Sequence, residues 1–280
     1  MITNNNFSVL PWYTSLHEQN HYRKCTYSCI YPLVVPTERL IPFQIHTDVN
    51  IQLSACELYI YDISNKLVSG NKLQSFINAG LFTDTILEHT VIAYPAISDL
   101  DFTLPFGQYY LVLSHNRGSE TWYSDIFTVT DISNCIKIQW WDNENLVMDR
   151  CFISYKNSFK NVLYVESCIS KPKYQYEEEG DDRDGIFFAE KQLSEKVYNF
   201  TFLGPEYLCD ATRFIRLSDN VIIEDGNNTY DCSNIVVEVD WLDQGDLAAI
   251  NVEFKLGVVT KKIAPGFNDY SSDYNNDYSD

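Results

Sequence analysis

Between residues 234 and 254 the chain reads "NIVVEVDWLDQGDLAAINVEF", with apolar residues at every second place on either side of a polar turn. A period of two sends alternate side chains to opposite faces of an extended strand. A helical stripe would instead recur every three to four residues. Ile235, Val237, Val239 and Trp241 share one face, and Ala248, Ile250, Val252 and Phe254 share a face after the turn "DQGD". The segment therefore predicts a β-hairpin with one buried side.

The same alternation recurs upstream. "CELYIYDISNKL" puts Cys56, Leu58 and Ile60 on one face and Glu57, Tyr59 and Tyr61 on the other, and "EKVYNFTF" aligns Tyr198, Phe200 and Phe202. "GQYYLVLSHNRGSETWYSDIFTV" reads as two strands around the turn "HNRG". Just before it, "LPFGQY" spaces Leu104, Gly107 and Tyr109 as in the tyrosine corner of immunoglobulin-like and fibronectin-III-like sandwiches. "PEYLCDATRFIRLSD" changes period. Leu208, Ala211, Phe214 and Ile215 form a helical stripe, with Arg213 and Arg216 near its end, where cations suit the helix dipole.

These patterns predict a mainly β chain with two β-sandwich-like domains. Residues 1–35 are expected to be an extended N-terminal arm with a short helix over 12–24. Residues 36–131 should form an immunoglobulin-like or fibronectin-III-like sandwich, and "TDISN" at 130–134 a linker. Residues 135–262 should form a second β-rich domain with a short helix and an acidic hairpin loop at 176–192. Residues 263–280 repeat Asp-Tyr at 269–270, 273–274 and 277–278 and lack aliphatic residues. Such a tail cannot offset the entropy of ordering, so it should be mobile or dock its tyrosines on a partner.

Composition narrows the function classes. A formal charge of −19 over 280 residues argues against a surface that grips phosphates, so no specific nucleic-acid binding is expected. Tyrosine is abundant (20 residues) and suits half-buried sheet positions, where the ring packs while the hydroxyl stays wet. The eight cysteines lie mostly in apolar stretches, and "MITNNNFSVLPWY" has neither the basic nor the apolar region of a secretory signal. Reduced, hydrophobe-like cysteines are expected, as in a cytosol. No apolar run approaches the ~18 residues of a membrane helix, so no membrane segment is expected.

Two stretches raise site chemistry. "HEQNHYRKCTYSC" at 17–29 matches H-E-x-x-H, in which two histidines a turn apart bind zinc and the glutamate activates water. Cys25 and Cys29 continue the spacing, but on one helix residues 17 and 29 lie about 18 Å apart, too far to share an ion. Little chain precedes the motif to build the sheet under a zincin helix, so a polar arm is the expectation and no metal is assigned. "YEEEGDDRDGIFFAEKQ" gathers six carboxylates between 177 and 184. Aligned to an EF-hand it puts Gly180 at the first ligand position and Lys191 at the last, and both fail. An acidic hairpin tip, with Arg183 neutralising its neighbours, is expected instead. His46, His89 and His115 are scattered, with His115 read as a turn residue, and no catalytic or cofactor-binding residue is assigned. Trp122, Trp140, Trp141 and Trp241 lie in or beside expected strands and read as core.

"PWYTSLHEQNHYRK", "IYPL", "ERLIPFQI", "YQYEEEGDDRDGIFFAEKQLSEKVYNFTF" and "PEYLCDA" together resemble a β-rich virion protein of tailed phages infecting Bacteroidetes, including crAss-like phages. The resemblance covers most of 12–262, and its most specific run is Tyr174 to Ala211. It implies a non-enzymatic structural subunit of the neck or tail: a ring, connector or hub protein. Its implied partners are copies of itself, as a cyclic homo-oligomer of sixfold or twelvefold order, and other tail or portal-proximal proteins. Its implied place is the virion, after assembly in the bacterial host cytoplasm. The alternative is a host-surface module that stacks carbohydrate on exposed aromatic rings.

Overall fold

The computed structural model describes residues 8–18, 33–68, 80–87, 89–96, 99–100, 103–148, 151–183, 185–226, 228–241, 247–256 and 260–263. The chain is mainly β, as the alternation predicts. In the first half the strands are β1 (Trp12–Tyr13), β2 (Leu33–Val35), β3 (Phe43–Thr47), β4 (Cys56–Asp62), β5 (Phe82–Ile86), β6 (His89–Tyr94), β7 (Gly107–His115), β8 (Glu120–Ser124) and β9 (Phe127–Val129). One sheet runs β1-β8-β7-β9-β2 with β4 also on β7, and a three-stranded sheet runs β3-β6-β5. The inner faces close a common core in which the Trp12 ring lies 4.7 Å from that of Phe43. Cys56, Leu58 and Ile60 point into it.

The hairpin around "HNRG" forms, with Leu113 opposite Trp122 and His115 opposite Glu120. Its turn places Asn116, Arg117 and Gly118 at positive φ. His115 is not in the turn: it ends β7 and is buried. The second strand is interrupted. β8 pairs with the far end of β7 and β9 with Gly107–Tyr109. At the break, Ser124 Oγ accepts from the Leu111 N–H at 2.8 Å and donates to the Asp125 carbonyl at 2.8 Å. A side chain thus replaces a missing ladder bond, and no buried donor is stranded there.

The expected arm is a correction. Trp12–Tyr13 pairs with β8, and Leu33–Val35 runs parallel to β9, so these two segments of 1–35 are edge strands of the sandwich. The reason is burial: Val9, Leu10, Trp12, Leu33 and Val35 are each at most 4 % exposed. Of the expected helix over 12–24, residues 12–13 are strand and 16–18 are helical, while 19–24 lie outside the described residues. The turn "DQGD" and the tail from 264 also lie outside them.

The second half contains β10 (Cys135–Trp141), β11 (Leu146–Met148), β12 (Cys151–Ile153), β13 (Asn161–Glu166), β14 (Lys173–Arg183), β15 (Ile186–Pro205), β16 (Asn220–Asp225), β17 (Asn228–Trp241), β18 (Leu247–Leu256) and β19 (Thr260–Ile263). Eight of these form one sheet, ordered β13-β10-β16-β17-β18-β15-β14 with β19 also on β15, and β11 pairs with β12 as a separate hairpin. β17 serves two neighbours, pairing with β16 up to Asp231 and with β18 from Cys232, with a bulge between Cys232 and Asn234. The hairpin read from the sequence has Ile235 opposite Phe254, Val237 opposite Val252 and Val239 opposite Ile250. The helix Glu206–Thr212 continues as a 3-10 turn through Leu217, and Leu208, Ala211, Phe214 and Ile215 are its buried stripe. Trp122 and Trp140 are core, as expected, but Trp241 is 52 % exposed. It closes β17 opposite Ala248, whose methyl group covers little of an indole.

Between β9 and β10 the "TDISN" stretch is a tight turn. Asp131 accepts from the Ser133 N–H and hydroxyl, and the Cys135 N–H bonds the Ile132 carbonyl at 2.9 Å. One hydrophobic cluster runs from Val9 to Phe254 and includes residues of both halves.

The tyrosine corner is present: the Tyr109 hydroxyl donates to the Pro105 carbonyl at 2.9 Å. A Cβ at Gly107 would stand 3.3 Å from that hydroxyl, so glycine keeps the corner open. Tyr109→Phe should lower stability by about 1 kcal/mol, because it deletes one hydrogen bond and little packing. Urea denaturation would show this as a lower midpoint with an unchanged slope.

Candidate functional site

The described residues hold two places where polar chemistry concentrates: a buried junction between the halves and an exposed acidic ribbon.

The junction forms because β3 is buried on both sides. Phe43 and Ile45 face the sandwich core, while Gln44 and His46 meet the segment 145–155 from the second half. The Gln44 side-chain amide donates to the Ser154 carbonyl at 2.6 Å and accepts from the Ser154 N–H at 3.0 Å, replacing a missing strand neighbour. Asp84 on β5 collects the Ser154 hydroxyl at 2.8 Å, the Asn145 amide at 3.0 Å and the Lys156 ammonium at 2.6 Å. Burial pushes the Asp84 carboxyl up, but these donors and the Thr85 N–H outweigh it and hold the group below its usual range. Ser154 is fully buried and donates its proton to a carboxylate, and Lys156 is already charge-paired. This arrangement fastens the second half to the first.

His46 lies beside this network, its ring 6.0 Å from that of Phe152. Its pKa falls from 6.5 to about 4, first through burial, then through the nearby His89, with a hydrogen bond to the Phe152 backbone working the other way. Its Nδ1 has no hydrogen-bond partner among the described residues. His89 takes the wetter side, its Nδ1 2.8 Å from Asp48.

Of the H-E-x-x-H motif, His17 and Glu18 are described, and His21, Cys25 and Cys29 lie outside the described residues. Glu18 is engaged in a helix start. Its carboxylate accepts from the Thr14 N–H at 3.0 Å and from the Thr14 hydroxyl, and its N–H donates to Ser15 Oγ at 3.1 Å. Sequence reading missed this, although "SLHE" carries the S-x-x-E signature of a capping box. Among the described residues no three His, Cys, Asp or Glu side chains converge as metal ligands. Cys135, Cys168, Cys209 and Cys232 are free thiols, and the Cys56 thiol donates to the Gln52 carbonyl at 3.6 Å. Burial pushes Cys56 and Cys209 up to about 11 and Cys232 up to about 12, so these three stay protonated.

The acidic segment is a hairpin, as predicted, but its carboxylates line a strand instead of a loop. β14 and β15 remain paired out to Arg183 opposite Ile186. Cross-strand partners make this possible: Lys191 bonds Glu179 at 2.9 Å and Gln192 bonds Glu178 at 2.8 Å. β18 leaves β15 at Val197, and β14 begins there, so the hairpin runs on past the end of the sheet. β19 joins its other side, pairing Lys191–Ser194 with Thr260–Ile263. The result is a three-stranded ribbon, β14-β15-β19, with Tyr174, Tyr176 and Phe187 each more than half exposed.

Compared with known protein families and with curated proteins, the chain matches no family and no curated sequence. No helix among the described residues is long and apolar enough to cross a membrane.

Two outcomes follow from the junction. Asp84→Ala leaves Ser154 and Asn145 without their acceptor and should cost about 2–3 kcal/mol, read by urea denaturation. For His46 the unfolded chain takes up a proton near 6.5, while the folded chain resists until about 4. The stability tied to this ring is therefore complete above that upper value and drains away as pH falls toward the lower one, by about 3 kcal/mol in all. Denaturation measured across this range should show the slope, and His46→Phe should flatten it.

Proposed function

We propose that this chain is a structural subunit of a tailed-phage virion, a ring, connector or hub protein of the neck–tail assembly that packs on copies of itself around the tail axis. The observation that carries the reading is the ribbon. A stiff body, locked internally by the Asp84 network, extends a three-stranded ribbon whose outer edges meet no other described strand. Extended unpaired edges are a hazard to a monomer and an asset to an assembling subunit. The likeness of the run from Tyr174 to Ala211 to phage virion proteins supports the same role, since that run contains most of the ribbon.

The role is mechanical and assigns the chain no catalytic step. Its charge of −19 fits a conduit: carboxylates facing a channel would repel DNA and reduce sticking during passage. The partners in this reading are further copies of the chain in sixfold or twelvefold order and neighbouring tail or portal-proximal proteins. Carbohydrate binding is the competing role, and the open indole of Trp241 is what favours it.

Purified protein imaged by negative-stain electron microscopy, with its mass followed by sedimentation over a concentration series, should show closed rings. A monomer at every concentration, together with glycan binding lost in Trp241→Ala, would overturn the assembly role in favour of the carbohydrate module.

A further inference from the structure

The two outer strands of the ribbon carry opposite charge. β14 holds Glu177, Glu178, Glu179, Asp181 and Asp182 against Lys173 and Arg183 at its ends, while β19 reads Thr-Lys-Lys-Ile, with Lys261 and Lys262 exposed. The registers bring these together row by row. Glu178 lies opposite Gln192, which lies opposite Lys262; Glu177 lies opposite Leu193, which lies opposite Lys261. Each row thus begins with a carboxylate and ends with an ammonium. Among the described residues no strand covers the outer edge of β14 or of β19.

We propose that the ribbon is the self-association element of this protein, with the basic edge β19 of one copy pairing alongside the acidic edge β14 of the next. The inference rests on the ring reading above and specifies the surface that forms the ring. A second copy is the occupant because the chain itself supplies both halves of the match: two main-chain edges that no described strand covers and two complementary charge rows. Pairing like edges would set Glu against Glu or Lys against Lys, so the contact is head-to-tail, the type that generates rings when its rotation closes. β14 and β19 are both antiparallel to β15, so they run in the same direction. A ribbon continued from copy to copy around an axis along its strands therefore joins them in parallel. The exposed Tyr174 and Tyr176 on β14 give that edge apolar surface to cover on pairing.

The test reverses charge one edge at a time in the full-length protein. A Lys261→Glu, Lys262→Glu chain and a Glu177→Lys, Glu178→Lys chain should each remain folded by near-UV circular dichroism. Each should weaken self-association by more than about tenfold in sedimentation, because like charges then face one another. Mixing the two, or combining all four substitutions in one chain, should restore assembly by recreating opposite edges. Wild-type rings that persist in both singly reversed chains would overturn the ribbon contact and leave the ring reading intact. Loss of assembly that neither the mixture nor the combined chain restores would also overturn it. A wild-type chain that never assembles would overturn the ring reading itself, and this contact with it.

Discussion

One buried carboxylate, Asp84, gathers donors from the second half of the chain and ties it to the first. Asp84 sits on the middle of β5, where the three-stranded sheet would otherwise show its back to water. A carboxylate there is costly unless its lone pairs are filled, and all the donors come from one short stretch of the second half apart from the neighbouring Thr85 N–H. The second half must therefore dock with Asn145, Ser154 and Lys156 in place, or leave an unsatisfied ion behind. Apolar contact alone would tolerate sliding, because the hydrophobic effect has no direction. The hydrogen bonds supply the direction, and Gln44 adds a further amide-to-backbone pair on β3. A second contact, Val34 of β2 against Val162 and Tyr164 of β13, then closes as an apolar seam.

The abundance of tyrosine has a structural use in the same frame. The outer face of the six-stranded sheet bears Tyr59, Tyr61, Tyr110 and Tyr123 around Val112 and Ile126. Tyr61 and Tyr110 stack at 5.6 Å, and the Tyr110 hydroxyl bonds Asn65 at 2.8 Å. Phenylalanine there would bury as well but leave Asn65 unanswered. Leucine would leave a greasy patch. Tyrosine lets a sheet face be dry beneath and wet on top.

What was legible in the residues follows from range. Strand alternation, the tyrosine corner and the helical stripe are carried by neighbours within about ten positions, and each is visible by eye. The junction was not. Gln44 and Ser154 lie 110 residues apart, and Asp84 reaches 61 to 72 residues to its donors. No period marks such residues, because each looks like an ordinary polar side chain in a strand. The first residues misled for the opposite reason. Their composition reads as a polar arm, yet Leu10 and Trp12 are enough to seat an edge strand, since such a strand needs a partner on one side alone. The acidic run misled through charge: consecutive carboxylates suggest a loop, while Lys191 and Gln192 on the facing strand make a ladder acceptable.

Charge sets the terms on which such molecules can meet. Two copies at −19 repel as whole bodies, and that repulsion reaches as far as the screening length, about 8 Å at physiological salt and longer in dilute buffer. A contact between a lysine pair and a carboxylate row acts at shorter distance, where salt matters less. Low salt therefore lets global repulsion dominate, and very high salt removes the pair attraction that sets register. Between these limits, in the proposed self-association, the copies would approach freely and their edges would decide the partner. An excess of carboxylate over ammonium then serves selectivity. In the proposed contact it would discourage the ribbon edges from joining out of register, and the two lysines of β19 would offer counter-charge to the glutamates of β14 on a neighbouring copy.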